Sequence, residues 1–534
     1  MVNENPTTAG RNALIALFSS LWLLTVWVLA PDWNLYPQYG YGWFVMPLAA
    51  YLFWRQWENR PVPQPAPANR LIWMATAGCI LVLLLARPIN SANPDWRLAK
   101  WAIAASVITV TLQAIWMAGG RSWLKHFIWP VLFTVTSLPW SKPFEDSLTQ
   151  GLMPIVANIS VDVLWLANVP ALQQGNLIQV PTTLIGVDEA CSGIRSLQGT
   201  IMAAAFLGAL LRLVWWRWSL LFVSGVVLAF ILNVVRATVL ALVAVKAGPE
   251  SFGKWHDTAG ISILLVVVAG LWLIALRLKR GQDLAQALHE AEIVALTGNT
   301  TSAAPAKPGQ PLAEAFLISS RWTVTCLIAL IGTEVAKESW FQFHAHGKQY
   351  RPLWTADWSK IGTSPAKDAI QPATTEILGY DQGEAYFWSG PDLMSWFAYD
   401  FHWKAGNDHI RDVQYHRPDV CLPASGRTFR ADLGIRQAVI KGQNIFYRQF
   451  VFEDAGRPLH VFQVTTESQL GDVETGLVME ENSRRARLQR FLDGKRDYPA
   501  RTVINFYVRG VESPGEARIA AENVLQRIVI PTGS

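Results

Sequence analysis

Long runs without a charged residue most restrict how this chain can fold. Residues 13–30, 71–86 and 261–276 carry no charge and approach the roughly 20 residues that a membrane-spanning helix needs. Hydrophobic residues make up 51% of the 534 positions, and many of the 26 tryptophans lie near the ends of such runs, as in the aromatic belts of membrane proteins. We therefore predict a multi-pass membrane protein, with lipids as partners, rather than one soluble globule.

Charge and cysteine content exclude several other classes. The net charge of +5 is small for this length, and the basic residues sit in short loops between apolar runs, so no nucleic acid is expected as a partner. The first apolar run has no small-residue cleavage site before Pro31, which predicts a retained helix. The four cysteines have no paired spacing, so neither a disulfide framework nor a zinc site is supported. No metal or organic cofactor is implied by the sequence.

The predicted fold class is an all-α multi-pass membrane bundle of about eight helices plus one tether helix, followed by a soluble extracytoplasmic α+β domain. Helices are expected near residues 13–30, 42–54, 71–86, 101–118, 126–140, 196–211, 218–242, 260–277 and 316–334. The apolar segment 145–169 contains Pro154, Asn158 and Asp162. We expect it to lie at the interface or to be re-entrant rather than to span.

Basic residues predict the orientation of the bundle in a cytoplasmic (inner) membrane. With the N-terminus in the cytoplasm, most loop arginines and lysines face inside, as the positive-inside rule requires. The loop 87–100 is an exception, since it is predicted outside and is basic. If 145–169 crossed the membrane, the basic clusters at 212–217 and 277–280 would move outside, which supports a non-spanning segment.

The chain is predicted to have four parts. They are a membrane domain over 1–280, a cytoplasmic linker over 281–315, a transmembrane tether over 316–334 and an extracytoplasmic domain over 335–534. The last part combines alternating strand patterns with an amphipathic helix. The strands are expected at 445–452, 459–465 and 500–508, and the helix at 514–528.

Three polar segments lie at the ends of predicted membrane helices. They are residues 187–195, the pair Asn233 and Arg236, and residues 254–257. Placing a polar group inside a membrane bundle costs free energy unless the group is paired, so such groups are candidate functional groups. The predicted topology brings all three to the outer level of the bundle.

The candidate nucleophile is Cys191. A thiol becomes reactive as the thiolate, and its pKa falls near a helix N-terminus or a cation. Ser192 is a plausible N-cap of the next helix, and Arg236 and His256 are expected to converge on the sulfur. His256 suits general acid–base chemistry near neutral pH. Arg236 holds its proton, so we favour an electrostatic role for it, and Asn233 shares its helical face.

The remaining groups have alternative interpretations. Asp188 and Glu189 would raise the pKa of a nearby thiol, so we expect them to orient His256 or to pair with Arg195. Taken alone, Arg236 is equally compatible with snorkelling to headgroups, and His256 with a helix cap. Only the constellation favours an active site. Two further cysteines, Cys79 and Cys326, are expected to be inert small hydrophobes.

These residues resemble a known family. Residues 190–196 (Ala-Cys-Ser-Gly-Ile-Arg-Ser), then Asn233-x-x-Arg236, then His256 together resemble the exosortase/archaeosortase family. Residues 33–55 also resemble the N-terminal signature of exosortases, with Gly40-Tyr41 in place of the usual Ser-His. The resemblance covers roughly residues 10–280.

The resemblance implies a multi-pass, cysteine-dependent peptidase with transpeptidase character. Such enzymes act on exported proteins that end in a short motif of the PEP-CTERM kind, a membrane helix and a basic cluster. By this likeness Cys191 forms an acyl-thioester. Arg236 would be the proton donor, in mild conflict with the electrostatic role favoured above, and His256 the base or transition-state stabiliser.

The C-terminal part, roughly 316–530, resembles the exosortase-associated domain of exopolysaccharide gene clusters. Residues 415–426 (Tyr-His-Arg-Pro-Asp-Val-Cys-Leu-Pro-Ala-Ser-Gly) carry this likeness. His416 and Cys421 are candidates for a second reactive site, although a structural loop with a reduced thiol is the simpler interpretation.

Two rival functions are left. A non-catalytic component of exopolysaccharide assembly or export would use the arginine and histidine as lipid or glycan anchors. A small-molecule transporter is the weakest alternative, because the polar residues gather at one face and not near the bilayer midplane. The oligomeric state is not predicted.

Overall fold

The N-terminal part of the chain is helical, as predicted, and the C-terminal part is rich in strands. The structure is a computed structural model. It describes residues 8–181, 183–186, 193–297, 319–345, 350–351, 354–361, 365–371, 374–375, 378–390, 394–407, 409–410, 417–424, 427–467, 469–470, 483–496 and 500–531. The chain forms two compact units, residues 1–87, 96–173 and 178–337 in the first, and residues 88–95, 174–177 and 338–534 in the second.

The long helices carry the apolar runs. They are α1 (Thr8–Leu35), α2 (Gly42–Trp57), α3 (Arg70–Ala92), α4 (Arg97–Phe133), α5 (Lys142–Leu166), α6 (Ile194–Leu210), α7 (Trp215–Ala247), α8 (Pro249–Thr297) and α9 (Ser320–Ala345). Within the described part of the chain, six stretches are long and apolar enough to cross a membrane, and α6 is a shorter apolar helix. The six are Gly10–Leu35, Arg70–Ala92, Arg97–Ser137, Lys142–Leu166, Trp215–Ala247 and Ser262–Glu290. The prediction of several apolar helices is confirmed, but α9, at the place of the tether predicted over 316–334, is not among these six.

Helix α4 is a hairpin of two helices. Gly120 has φ +68° and ψ −159°, a conformation that glycine adopts without a Cβ clash. The chain reverses there, because Trp101 near the start of α4 donates from Nε1 to Pro139 O at 2.8 Å, just beyond its end. The prediction of two separate helices, at 101–118 and 126–140, is therefore confirmed, but the second one begins directly after Gly120 and its α-helix ends at Phe133.

Helices α1 and α3 are parallel, and the first arm of α4 is antiparallel to both. Leu17 and Ile72, near the starts of α1 and α3, share one buried cluster. Val28 and Leu83, further along the same helices, share another, and Ile103 from the start of α4 joins this second cluster. Both α1 and α3 therefore end where α4 begins.

Helices α6, α7 and α8 form an antiparallel trio. Near the start of α7, Trp218 donates from Nε1 to Ala204 O at 3.1 Å, in the second half of α6. One residue earlier, Arg217 donates from Nη1 to Leu278 O of α8 at 2.6 Å. The second half of α7 therefore lies beside the beginnings of α6 and α8.

The segment between α4 and α6 starts and finishes at the same end of the first unit. The Tyr39 hydroxyl accepts from the Trp140 backbone N–H at 2.8 Å and from Gln198 Nε2 at 3.3 Å. Trp140 follows α4 and Gln198 lies near the start of α6. We call this end of the unit the site end. Helix α5 packs in a buried cluster with residues 234–244 of α7 and with a small sheet. The sheet consists of β1 (Leu172–Gln174), β2 (Leu177–Val180) and β3 (Thr183–Gly186).

Helix α8 is longer than predicted at both ends, so the prediction of 260–277 is wrong in its bounds. It begins at Pro249, directly after Gly248, which has φ +88°. Proline suits the first helical position because the backbone N–H that it lacks would have no partner within the helix there. It runs through Lys279–Asp283, an ion pair four residues apart, to Thr297. The backbone of residues 254–257 therefore lies inside α8 and not ahead of it.

Helix α9 packs into the first unit parallel to α3. Trp322 donates from Nε1 to Thr76 Oγ1 at 2.9 Å, and Thr76 donates to Gln113 Oε1 of α4 at 2.8 Å. Further along both helices, Arg87 Nη2 donates to Glu334 Oε2 at 3.0 Å. These polar contacts fix the register of α9 in the bundle.

Removing the Glu334 carboxylate is expected to destabilise the bundle. Its partner Arg87 is only 5% exposed, so Glu334→Leu leaves a buried cation unpaired. Breaking a fully buried pair costs roughly 3–5 kcal/mol, and we expect about 2 kcal/mol here because Glu334 stays 35% exposed. The double variant Arg87→Leu/Glu334→Leu is expected to recover the part of the loss that comes from Arg87, while Lys337, 11% exposed and also paired with Glu334, remains without this carboxylate. Thermal unfolding in detergent measures both, and a Glu334→Leu protein that melts with the wild type contradicts this account.

The second unit is built on a seven-stranded antiparallel sheet. Its strands are β6 (Ala366–Asp368), β7 (Gln382–Ser389), β8 (Ser395–Trp403), β9 (Thr428–Ile440), β10 (Gln443–Asp454), β11 (Arg457–Glu467) and β13 (Arg501–Arg509), in the order β6-β7-β8-β13-β11-β10-β9. Short pairs add β4 (Tyr350–Arg351) with β12 (Gln469–Leu470), and β5 (Trp354–Ala356) with β14 (Val529–Pro531). The helices are α10 (Pro418–Ala424), α11 (Arg484–Leu492) and α12 (Pro514–Ile528). The three predicted strands and the last helix are confirmed.

Candidate active site

The second half of α7 carries a buried polar pair. Asn233 and Arg236 are three residues apart and therefore share one face of the helix. Asn233 is 2% exposed and Arg236 is 7% exposed. A buried arginine in an apolar helix is expensive, which makes this face a functional candidate.

The start of α6 packs against Asn233. A Cβ atom added to Gly193 would lie 2.9 Å from both Cγ and Nδ2 of Asn233, so the backbone approaches this amide as closely as a glycine allows. Gly193 has φ +87°, and its carbonyl accepts the first helical bond from Leu197 N at 2.9 Å. Gly193 is therefore the N-cap, and the prediction that Ser192 fills that position is wrong.

The first half of α8 packs against Arg236. A Cβ atom added to Gly260 would lie 3.3 Å from Arg236 Nη2 and 3.6 Å from Cζ. Gly260 is four residues, about one helical turn, beyond His256. The guanidinium of Arg236 therefore lies between α7 and α8. It contacts α8 about one helical turn beyond the backbone of His256.

The predicted site residues divide into two sets. Asn233, Arg236 and Arg195 are described, and Arg195 is half-buried in the first turn of α6. The backbone of His256 lies in α8, while its side chain is outside the described part of the structure. Four predicted residues also lie outside it, namely Asp188, Glu189, Cys191 and Ser192. Their roles stay predictions.

Buried ion pairs account for the basic loop that departed from the positive-inside pattern. Its three basic side chains each contact a carboxylate, and each is at most 7% exposed. The pairs are Arg87 with Glu334, Arg97 with Glu145 and Lys100 with Asp32. These charges are neutralised inside the bundle and do not act as loop charges. Sequence reasoning did not find the pairs; the only signal was the charged loop itself.

The second unit exposes the other candidate thiol. Cys421 is exposed on α10, whereas Cys79 and Cys326 are buried, as expected for inert hydrophobes. Burial raises the pKa of Tyr507, whose hydroxyl also interacts electrostatically with Cys421. His416 lies outside the described residues. No cluster of metal ligands occurs among the residues that the structure describes.

Exchanging Gly193 for alanine is expected to displace Asn233. The new Cβ would clash at 2.9 Å, in addition to the strain of about 1 kcal/mol for a side chain at positive φ. Gly248→Ala is the matched control, because Gly248 has φ +88° and nothing within 4 Å of the added atom. Thermal unfolding should show a larger loss for Gly193→Ala. Equal losses would mean that the Asn233 contact contributes nothing.

The fold and the site indicate which class of protein the first unit belongs to. The first unit is a bundle of apolar helices with a buried amide and guanidinium between three of them, as in multi-pass membrane proteins with a polar site inside the bundle.

Comparison with protein families identifies this part of the chain. Residues 33–273 match the family model described as transmembrane exosortase, and this region belongs to that family. The matched region takes in Asn233, Arg236 and Gly260. Searches of curated proteins and of solved structures find no match.

Proposed function

We propose that the chain is an exosortase in the catalytic sense. It is a membrane cysteine peptidase with transpeptidase character that removes C-terminal sorting tails from exported proteins, in surface-protein or exopolysaccharide biogenesis. Cys191 is the nucleophile, and Arg236 and His256 complete the site. The substrates are proteins with a short motif, a membrane helix and a basic cluster.

One observation carries the proposal. Two backbone segments converge on the polar face of α7, with Gly193 against Asn233 and Gly260 against Arg236. Gly193 is two residues beyond Cys191, and Gly260 is one helical turn beyond His256. A thiol, a guanidinium and an imidazole at these neighbouring positions are what acyl transfer through a thioester requires.

The proposed reaction has two steps. The thiolate of Cys191 attacks the carbonyl carbon of the scissile peptide bond, the C–N bond breaks, and the leaving amine takes a proton from the imidazolium of His256. Water or an acceptor amine then attacks the thioester and gives its proton to the neutral imidazole. The C–S bond breaks, which restores the thiolate and the imidazolium.

Arg236 is proposed to stabilise negative charge. Its guanidinium keeps its proton through the neutral range, so it suits the thiolate and the oxyanion better than it suits proton transfer. Proton donation by Arg236, the role implied by the family, is the alternative that the variants discussed below separate.

We further propose that the site end faces outside the cytoplasmic membrane. The segment between α4 and α6 starts and finishes at the site end. This supports the expectation that α5 and the small sheet stay on that side, although α5 is long and apolar enough to cross a membrane. Helix α9 is parallel to α1 and α3 and is therefore proposed to run in the same direction as they do, towards the outer side. The clusters at 212–217 and 277–280 then face the cytoplasm, which supports this orientation.

The test is processing of a tail-bearing reporter. The full chain is produced with an exported protein that ends in a candidate motif, an apolar helix and a basic cluster, and the product mass is measured. We expect loss of the tail only when the chain is present. A reporter that stays full-length with every tail found in the encoding genome would refute the peptidase function.

A further inference from the structure

A buried polar network joins four segments at the site end of the first unit. The side chains of Tyr39, Arg97, Glu145 and Gln198 are 1%, 7%, 3% and 1% exposed. They come from the α1–α2 connection, the start of α4, the start of α5 and the second turn of α6. Replacing buried ionic groups by apolar side chains of similar volume is often neutral or stabilising, so stability alone is a weak explanation for this network.

Tyr39 is the centre of the network. Its hydroxyl accepts from the Trp140 N–H at 2.8 Å, from Gln198 Nε2 at 3.3 Å and from Arg97 Nη1 at 3.5 Å. Arg97 also forms an ion pair with Glu145 and donates to Trp140 O at 2.7 Å. Each partner of Tyr39 is thereby held by a second contact or by its helix.

Gln198 connects this network to the candidate active site. It lies five residues after Gly193, on the same face of α6 as the buried Ile194 one turn before it. Gly193 packs on Asn233, so α6 is held near its start from two directions, by Asn233 of α7 and by Tyr39. A shift or rotation of α6 would break both contacts together.

We propose that Tyr39, Arg97, Glu145 and Gln198 are positioning residues, which fix the register of the first turns of α6 and so set where the chain enters the site ahead of Gly193. This inference rests on the proposed function. A register device is a well-supported use of buried polar groups, because a shifted register leaves them unsatisfied. A misplacement of about 1 Å in a reacting group lowers rates by roughly 10²-fold.

The test compares two buried hydroxyl deletions in the full chain. Tyr39→Phe removes the acceptor of three bonds and keeps the ring. Thr76→Val removes a hydroxyl of the Trp322–Thr76–Gln113 chain, whose hydrogen bonds join α3, α4 and α9. We expect Tyr39→Phe to lower kcat for tail processing by about 10-fold with KM within about two-fold, and Thr76→Val to affect only the melting temperature. Gln198→Leu should repeat the Tyr39→Phe result if that variant folds poorly.

A second readout separates this inference from the proposed function. In a Cys421→Ser background, the rate of Cys191 alkylation is followed against pH, with no substrate present. A displaced thiol loses its neighbouring cations, so the profile of Tyr39→Phe should move to higher pH than that of the Thr76→Val control. Unchanged kcat and an unchanged alkylation profile in both Tyr39→Phe and Gln198→Leu would overturn the inference. A wild type without processing would refute the proposed function alone.

Discussion

Replacing Cys191 by alanine is expected to abolish tail processing, with a loss of at least about 10³-fold in rate. Without the sulfur no thioester forms, and the other site groups have no covalent step to assist. Cys191→Ser is expected to be almost as inactive, because a hydroxyl ionises far less readily than a thiol near neutral pH. The fraction of reporter without its tail, measured per folded enzyme, checks both variants.

Cys421→Ala is the matched control for this prediction. Cys421 is the exposed thiol of the second unit, and we expect its removal to leave processing at the wild-type rate. Lost processing in Cys421→Ala with Cys191 intact would assign the second unit a direct part in the reaction. Full processing of the reporter by Cys191→Ala would contradict the proposal that the chain is a cysteine peptidase.

Arg236 is expected to show the next largest effect. Arg236→Gln keeps much of the side-chain length but removes the charge, and we expect a loss of about 10²–10³-fold in kcat, the range for removing one transition-state donor. Arg236→Lys keeps a charge without the planar fork, so part of the rate should survive. Arg217→Gln, at the opposite end of α7, is the control and should keep its rate.

The leaving group of the reporter distinguishes the two roles of Arg236. If residue 236 donates a proton to the leaving amine, the loss in Arg236→Gln should largely disappear with an ester-linked reporter whose leaving group departs without a proton. If the guanidinium only stabilises negative charge, Arg236→Gln should lose a similar factor with the amide and the ester reporter. An Arg236→Gln enzyme with wild-type activity would remove Arg236 from the site altogether.

Local patterns were enough to predict most of the elements. The last helix has buried Ala517, Ala521 and Leu525 four residues apart, and its bounds agree with the prediction of 514–528. The double glycine at 119–120 separates two apolar runs, and Gly120 is where α4 reverses. In both cases the signal is contained in neighbouring residues.

The small sheet before the site was missed, although a signal existed. Residues 177–180 alternate in burial, and Gly175-Asn176 directly before them is a hairpin-type turn sequence. The strands have only three or four residues, and an apolar run of that length also fits the end of a helix. Length gave no means of choosing between the two.

The polar contacts inside the first unit could not be predicted. The partners Arg97 and Glu145 are 48 residues apart, and Arg87 and Glu334 are 247 residues apart. No local pattern specifies such pairs, because they depend on how helices pack. The predicted topology indicates that residues 191, 236 and 256 lie at the same depth of the bundle. It does not predict that Gly193 and Gly260 pack directly on α7, because this contact depends on how the helices pack.

Trapping the covalent intermediate tests the central claim most directly. Wild-type enzyme and reporter are mixed, quenched in acid to preserve thioesters, digested and analysed by mass spectrometry. We predict a peptide containing Cys191 that carries the carboxyl end of the cleaved reporter, is released by hydroxylamine and is absent from Cys191→Ala. A cleaved reporter without any adduct on Cys191, or an adduct on Cys421 instead, would contradict the account.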